Sequence, residues 1–539
     1  MDFEKYLRRL ADLKNARANF DTQFQEIAER VLPQMADFNT QQSPGARRTE
    51  KMLDATALLA AQKAVAAISA FIWPSNQRYQ NLATNDASLN KAHRVKAYFD
   101  DLTEALFLAR YSPRSAFESQ MGEAALQFIV FGTGIMFTED NIRLRALRYK
   151  SMHLAQTYIA EGEAGNIDTL FRVWPWTLRQ IEQRWPGKLP DKLARTLQTR
   201  PDDTIEVCHA VLPRTDYDPE RAGYPSMPWA SCYFLPSEKH QLDEGGYRSW
   251  PFSIMRYMTS PGEVYGRSPA WMALSNIKVL NQQKRSVLAG AQKAVDPVML
   301  ASEDGILGAF NNAPGAYNMG GLSSTGEPLV KPLQTGARID IGLDMMDKER
   351  EIIGSAFFLD VFRALVENPQ MTATQTLELM QERATLMGPI AGRIESEGLG
   401  PLTERELDLL AQAGVLPEMP PELIEAAGEY KIEYTSPMRQ AMRAGQGVAI
   451  ARTIEAITPL SQIDPTVIDV IDVDATIREL AEISGAPTKI LRSPEAVKAI
   501  KESRASQQEA SALLEAAPVV SDVAVNLTKL QQAGGRPQL

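Results

Sequence analysis

A chain of 539 residues is too long for one ordinary core, and the usual size of domains predicts two to four packing units. Its hydrophobic share of 44% and charged share of 23% exclude a disordered tail and a membrane protein, and two cysteines, Cys208 and Cys232, exclude a disulfide scaffold or a four-cysteine zinc site. The formal net charge of −10 argues against a surface that grips nucleic acid, because tight binding needs many Lys and Arg contacts that release counterions.

The start, MDFEKYLRRL, is amphipathic and mixed in charge and lacks the basic start, apolar run and cleavage site of a secretory signal, so a reducing compartment and no export are expected. Phe3, Tyr6, Leu7, Leu10 and Leu13, then Phe20, Phe24, Ile27 and Val31, fall at helical spacing until Pro33. After the polar loop QQSPGARR a second long helix is predicted from near Asp54, followed by helices at about 88–110 and 114–130. Within the second helix, Ala57 to Trp73 is the stretch nearest to a membrane span, but Gln62 and Lys63 interrupt it and Pro74 ends it short of the roughly 20 apolar residues a bilayer requires. A buried core helix is expected there.

From about 135 the pattern changes to short apolar runs rich in Val, Ile, Tyr, Trp and Thr, punctuated by Gly, Pro and Asp. That is the signature of a mostly antiparallel sheet set between helical segments. One long helical stretch follows from about Pro269 to Val295, holding Lys278, Lys284, Arg285 and Lys293 among Leu, Val and Ala. An irregular Gly, Pro and Asn-rich insert runs from Asp296 to about Gly342, and helix resumes at about Met345. Helix, compact insert and helix make an out-and-back excursion: two adjacent helices with a small cap at their far end. Glu367-Asn368-Pro369-Gln370 then turns the chain into another helix, with Thr372, Met371 or Asn368 as its N-cap. The remainder is read as helical, with breaks at Gly388-Pro389, Gly400-Pro401 and the Pro417, Pro420, Pro421 cluster, and one strand at 430–437.

Catalytic patterns are sparse. Asp472-Val473-Asp474-Ala475-Thr476 matches the DxDxT pattern of aspartate-nucleophile phosphatases, in which one carboxylate attacks phosphorus and both help hold magnesium. No clear Gly-Asp pair follows to complete such a site, and Asp469, Asp472 and Thr476 serve equally as caps for the helix TIRELAEI. His93, His153, His209 and His240 show no metal-ligand spacing, and neighbouring Cys208 and His209 on a strand point to opposite faces. Gly132-Thr133-Gly134 follows a helix and precedes a strand, the reverse of the order that cradles a phosphate, and no GxxxxGK[ST] occurs. Neither an ATP-driven motor, a metal site nor a cofactor is expected.

Several long stretches, in order, carry a resemblance: FDTQFQEIAERVLP at 20–33, RRTEKMLDATALLAAQKAVAAISAFIWPSNQRYQNL, YGRSPAWMALSNIKVLNQQKRSVLAGAQKAVDPVML, MTATQTLELMQERATLMGPIAGRIESEGLGPL and IEYTSPMRQAM. Over nearly its whole length the chain resembles the portal, or head-to-tail connecting, proteins of short-tailed bacteriophages, departing from them around Trp174 and Trp176. The resemblance implies an α+β, mainly helical portal fold with wing, stem, clip and crown, assembled as a dodecameric ring at one capsid vertex of the virion and made in the host bacterial cytoplasm. It places a wing at 1–265, stem helices at 266–295 and 344–366, the clip at 296–343, a tunnel loop at 367–371, a wing return at 372–437 and a helical crown at 438–539. Implied partners are the terminase large subunit, tail adaptor and nozzle proteins, scaffolding and major capsid proteins, and double-stranded DNA passing through without sequence specificity; no membrane is implied.

In that frame the candidate channel-lining residues are Lys278, Lys284, Arg285, Lys293 and Arg363, and the tunnel loop comprises Glu367, Asn368, Pro369, Gln370 and Met371. A conduit is served by an acidic balance, since each phosphate contact has to be broken as the duplex advances. Twelve inner helices, each roughly 10 to 12 Å across, leave a bore of about 28 to 34 Å, wide enough for a duplex of about 20 Å. The competing expectations are a helical scaffold or adaptor without a channel, and the phosphatase built on Asp472 and Asp474.

Overall fold

The structure, a computed structural model, describes residues 3–40, 43, 45–86, 88–141, 146–301, 311, 313, 315–317, 321–333, 338–360, 373–425, 430–461, 471–483, 492 and 496–507. They fall into two compact units: one built from 1–81, 102–417 and 432–445, the other from 82–101, 418–431 and 446–539.

The first unit opens with helix α1 (Phe3–Val31), whose apolar stripe is buried in two places. Tyr6, Leu10 and Leu13 cover one face of a sheet through Phe171, Val173, Cys208, Ala210, Cys232 and Phe234. Phe24, Ile27, Ala28 and Val31 enter the main core. Between the two, Arg17 is buried by design: it donates to the carbonyls of Leu154 at 2.7 Å, Ala155 at 3.1 Å and Thr157, and it stacks 3.9 Å from the centre of the Tyr158 ring. A buried guanidinium without such acceptors is strongly destabilising, so this residue fixes where α1 crosses the sheet. Helix α2 (Thr56–Ile72) buries Ala57, Ala60, Ala61, Ala64, Ile68 and Ile72, as expected of a core helix. Among the described residues no helix is long and apolar enough to cross a membrane.

Strand β1 (Gln80–Ala83), helix α3 (His93–Arg110) and helix α4 (Phe117–Phe131) follow. The expected sheet region then supplies β2 (Thr133–Asn141), β3 (Ala146–Met152), β4 (Thr157–Glu161) and β5 (Ile167–Thr177). Two short helices not anticipated from the strand pattern come next, α5 (Leu178–Arg184) and α6 (Asp191–Thr199). Their signal is local: Thr177 accepts from the Gln180 amide while the Gln180 side chain accepts from the Thr177 amide, a capping box. Strands β6 (Thr204–Pro213), β7 (Trp229–Leu235), β8 (His240–Tyr247) and β9 (Phe252–Arg256) complete the region.

All described pairings of these strands are antiparallel, in a three-stranded sheet ordered β3-β2-β9 and a five-stranded meander ordered β4-β5-β6-β7-β8. The meander is covered on both faces. Alternate residues of β6 show it: Cys208 and Ala210 point into the α1 side, while Val207 meets the α5 and α6 cluster and Val211 enters the main core. His209, between them, stacks on Tyr233 with ring centres 4.0 Å apart, bonds Ser231 at 3.0 Å and meets Phe137 of β2 edge-on. Burial pushes its imidazole down to about 3 and pushes the Cys232 thiol up to about 12. Both cysteines are free and buried. Gly132, at φ +83, closes α4 in a tight turn, where a Cβ would overlap the Gly266 carbonyl.

Helices α7 (Pro269–Met272) and α8 (Leu274–Val295) form the expected long stretch, divided only at Ala273. Strands β10 (Met299–Ala301) and β11 (Val330–Pro332) pair with each other, and helix α9 (Ile339–Ala356) starts before the expected Met345. Helix α10 (Ala373–Arg393) runs through Gly388-Pro389, where a break was expected. Proline in a helix interior loses one hydrogen bond and strains the preceding turn, yet the helix continues to Arg393 and then widens into a π turn at Ile394–Leu399. That turn lies against β9: Ser253 donates to the Gly398 carbonyl at 2.8 Å, and Arg256 donates twice to Glu397 at 3.0 Å.

Helix α11 (Gly400–Gln412), with Pro401 in its first turn, carries Glu406 into a fully buried pair with Arg110 at 2.5 Å. Tyr149 donates to the same carboxylate at 2.5 Å, Arg110 donates to Tyr79 at 2.6 Å and to Thr403 at 3.1 Å, and Gln80 donates to Thr403 at 2.9 Å. Burial alone lowers the Arg110 pKa, but the Glu406 carboxylate outweighs it and holds the guanidinium charged. Helix α12 (Pro421–Glu425), strand β12 (Lys431–Tyr434) and helix α13 (Pro437–Ser461) follow.

The described part of the second unit is helical apart from ends of strands. Val95, Tyr98, Phe99 and Leu423 are buried, and helix α14 (Val473–Ile483) brings Ile483 within 3.5 Å of where a Cβ on Gly447 would stand. Residues 496–507 are also helical.

Candidate functional site

Helices α8 and α9 run antiparallel. Asn276 of α8 donates to Glu349 of α9 at 2.9 Å, and nearer the insert Val287 sits 2.6 Å from where a Cβ on Gly342 would stand. The numbers rise on one helix as they fall on the other. Ser268 starts this arm by accepting from the Trp271 amide at 2.9 Å and donating to the Val130 carbonyl at 2.7 Å. At the far end the β10 and β11 ladder closes the excursion, with the Leu333 amide donating to the Val298 carbonyl at 2.8 Å.

Asp54, just ahead of α2, ties the loop before it to both helices. Its carboxylate accepts from Lys284 of α8 at 3.2 Å, from Arg350 of α9 at 2.9 Å and from the Thr56 amide at 2.9 Å. Asn281 completes the joint by accepting from the Leu53 amide at 2.6 Å and the Asp54 amide at 3.0 Å. Burial raises the Asp54 pKa, but the donors from Thr56, Arg350 and Lys284 outweigh it and hold the carboxyl well below the usual range. The cue in the sequence is Asp54-Ala55-Thr56 ahead of an apolar helix, a local capping signal; the long-range partners leave no such trace.

The expected cations divide by environment. Lys278 pairs with Glu26 of α1 at 2.5 Å and Lys284 with Asp54. Arg285 and Lys293 are exposed, with no carboxylate partner among the described residues. Arg363 and Glu367, Asn368, Pro369, Gln370 and Met371 lie outside the described residues. The two helices are also opposite in charge: α8 has four basic residues and no acidic one, whereas α9 has five acidic residues and two basic ones.

The Asp472 segment is a helix start. Asp472 accepts from the Ala475 amide at 3.0 Å, Thr476 donates to the Asp472 carbonyl at 2.7 Å and Asp474 pairs with Lys501. These bonds account for the carboxylates as capping and surface groups. Among the described residues no cluster of His, Cys, Asp and Glu has the makings of a metal site.

The described chain is thus an α+β protein whose antiparallel helix arm keeps charged and apolar side chains in water. Residues 4–491 match the bacteriophage head to tail connecting protein family, and the chain belongs to that family. It is 28% identical over 524 residues to the probable portal protein of Bordetella phage BPP-1, covering 94% of this chain and 91% of that protein. It is 26% identical over 556 residues to the portal protein of Salmonella phage epsilon15, covering 99% of each.

Proposed function

We propose that this chain is a phage portal subunit, a passive conduit that occupies one capsid vertex, admits double-stranded DNA during packaging and releases it at ejection. The observation that carries the reading is the end-to-end similarity to two proteins named as portals. In this reading residues 266–295 and 344–366 form the stem, residues 296–343 the clip that meets first the terminase large subunit and later tail adaptor and nozzle proteins, 1–265 with 372–437 the wing, and 438–539 the crown. Scaffolding and major capsid proteins contact the ring from outside. No bond is made or broken by this chain.

Lys278 and Lys284 are engaged by carboxylates of their own chain. Of the α8 cations Arg285 and Lys293 have no carboxylate partner among the described residues, and with Arg363 and the loop at 367–371 they are the candidates for transient contact with DNA phosphates. A few weak cations in an acidic protein suit a ligand that has to keep moving.

The test is the state of the purified full-length chain. Closed rings are expected by electron microscopy, with a native mass of about 716 kDa if twelve copies of 59.7 kDa assemble. A monomer or dimer at high concentration with no rings overturns the reading.

A further inference from the structure

We infer that neighbouring subunits join through the stem by a head-to-tail contact, the basic outward face of α8 on one copy meeting the acidic and apolar outward face of α9 on the next, with Arg285 opposite Asp344. This rests on the ring-forming reading above and goes beyond it by naming the surfaces and their register.

At 100° per residue, the exposed residues of each helix gather on one side. On α8 they include Lys278, Val279, Gln282, Arg285, Ser286 and Ala289, and on α9 Ile341, Asp344, Met345, Lys348, Glu351 and Ile352; all twelve are exposed. Ile341, Met345 and Ile352 are 45%, 50% and 49% exposed, an apolar stripe that a helix of a self-sufficient monomer would turn inward. The α8 face offers what that stripe lacks. Its small Ser286 and Ala289 leave room for large side chains, and its exposed Arg285 answers Asp344; for neither is an ion pair found within the chain among the described residues.

Like faces do not match: α8 on α8 sets cation against cation, and α9 on α9 sets carboxylate against carboxylate. Each contact therefore joins α8 of one copy to α9 of another, and its heterologous form is the kind that generates closed rings. The register follows from the arm itself. At the insert end Val287 is level with Gly342. In a ring whose axis runs along the arm, adjacent copies stand at the same height, so the same levels face one another across the interface. Arg285, two residues from Val287, then meets Asp344, two residues from Gly342. Arg285 is thereby assigned to the subunit interface and not to the channel wall.

The test uses full-length protein and charge reversal. Arg285→Glu and Asp344→Arg are each expected to raise the concentration at half-assembly at least about tenfold, and the double variant to return it to within about threefold of wild type, because juxtaposed like charges are strongly penalised at an interface. Native mass spectrometry and electron microscopy read the assembly, and circular dichroism confirms that the singles fold. A second measurement does not depend on these variants: with Gln282→Cys and Met345→Cys in one chain, mild oxidation is expected to give a ladder of covalently linked subunits, which bonding inside one chain does not produce. Wild-type rings combined with unaffected single variants, with a double variant no better than the singles, or with no ladder overturn the interface alone. Absence of wild-type rings overturns the portal reading and the interface together.

Discussion

The sheet-bearing body of the first unit and its α8 and α9 arm obey opposite rules. In the body, charged groups that are buried are answered within the chain: Arg17 by three carbonyls, Arg110 by Glu406, Arg256 by Glu397 and Glu161. On the arm, Asp54 and Asn281 answer the side facing the body and Glu26 takes Lys278, while Arg285, Asp344, Glu351 and the large apolar Ile341, Met345 and Ile352 stay in water. The body answers its buried charges within one copy, and in the interface proposed above a second copy answers the arm.

The contrast is broken most severely by removing half of a buried pair in the body. Glu406→Ala leaves Arg110 buried and uncompensated and is expected to cost about 3 to 5 kcal/mol, read by urea denaturation. Arg110→Met with Glu406→Leu is expected to recover a large part of that loss. A recovery of nothing would show that the network is held by Tyr149, Tyr79 and Thr403 instead.

At the junction between body and arm, Asp54→Ala should be milder, about 1 to 3 kcal/mol, because Lys284 and Arg350 are partly exposed and regain water. Its pH dependence has a definite sign. The folded carboxyl is depressed, so its contribution is fully present above the unfolded value of about 4 and is lost as pH falls below it. His209 works over a higher window. Its folded pKa of about 3 lies below the unfolded value of about 6.5, so the unfolded chain takes up a proton that the folded chain refuses, and stability falls as pH drops from about 6.5 toward 3. The urea midpoint of His209→Gln is expected to vary less with pH between about 4 and 6.5.

The smallest effects belong to the surface. Lys293→Ala should leave stability within about 0.5 kcal/mol of wild type, and a larger loss would mean that the arm is not free at that point. Asp472→Ala should cost about 1 kcal/mol as a lost cap, with Asp472→Asn nearly neutral; phosphate release abolished by Asp472→Asn would revive the phosphatase.

Local rules made much of the fold legible. The alanine spacing of α2 predicts its buried face, the branched and aromatic runs predict the strands, and the Gly-rich insert predicts the excursion. Misreadings arose where one local signal masked another or where a rule was tolerated. The capping box at Thr177 is hidden within strand-like Trp and Val, and Pro389 sits inside a helix that continues through it. The arm's cations were visible in the sequence, but their partners were not. Arg110 and Glu406 lie 296 residues apart and Lys284 and Asp54 lie 230 apart, and no periodicity encodes such distances.

The joint at Asp54 also has a mechanical meaning. One carboxylate grips Lys284 of one rod and Arg350 of the other, Asn276 pins Glu349, and Val287 is lodged at Gly342. Shear of the rods past each other by a single helical turn, about 5.4 Å, breaks all three at once. The pair is therefore a braced strut: thrust applied at the insert travels as compression along both helices and is delivered to the start of α2, where the Ala-rich packing of the core takes the load.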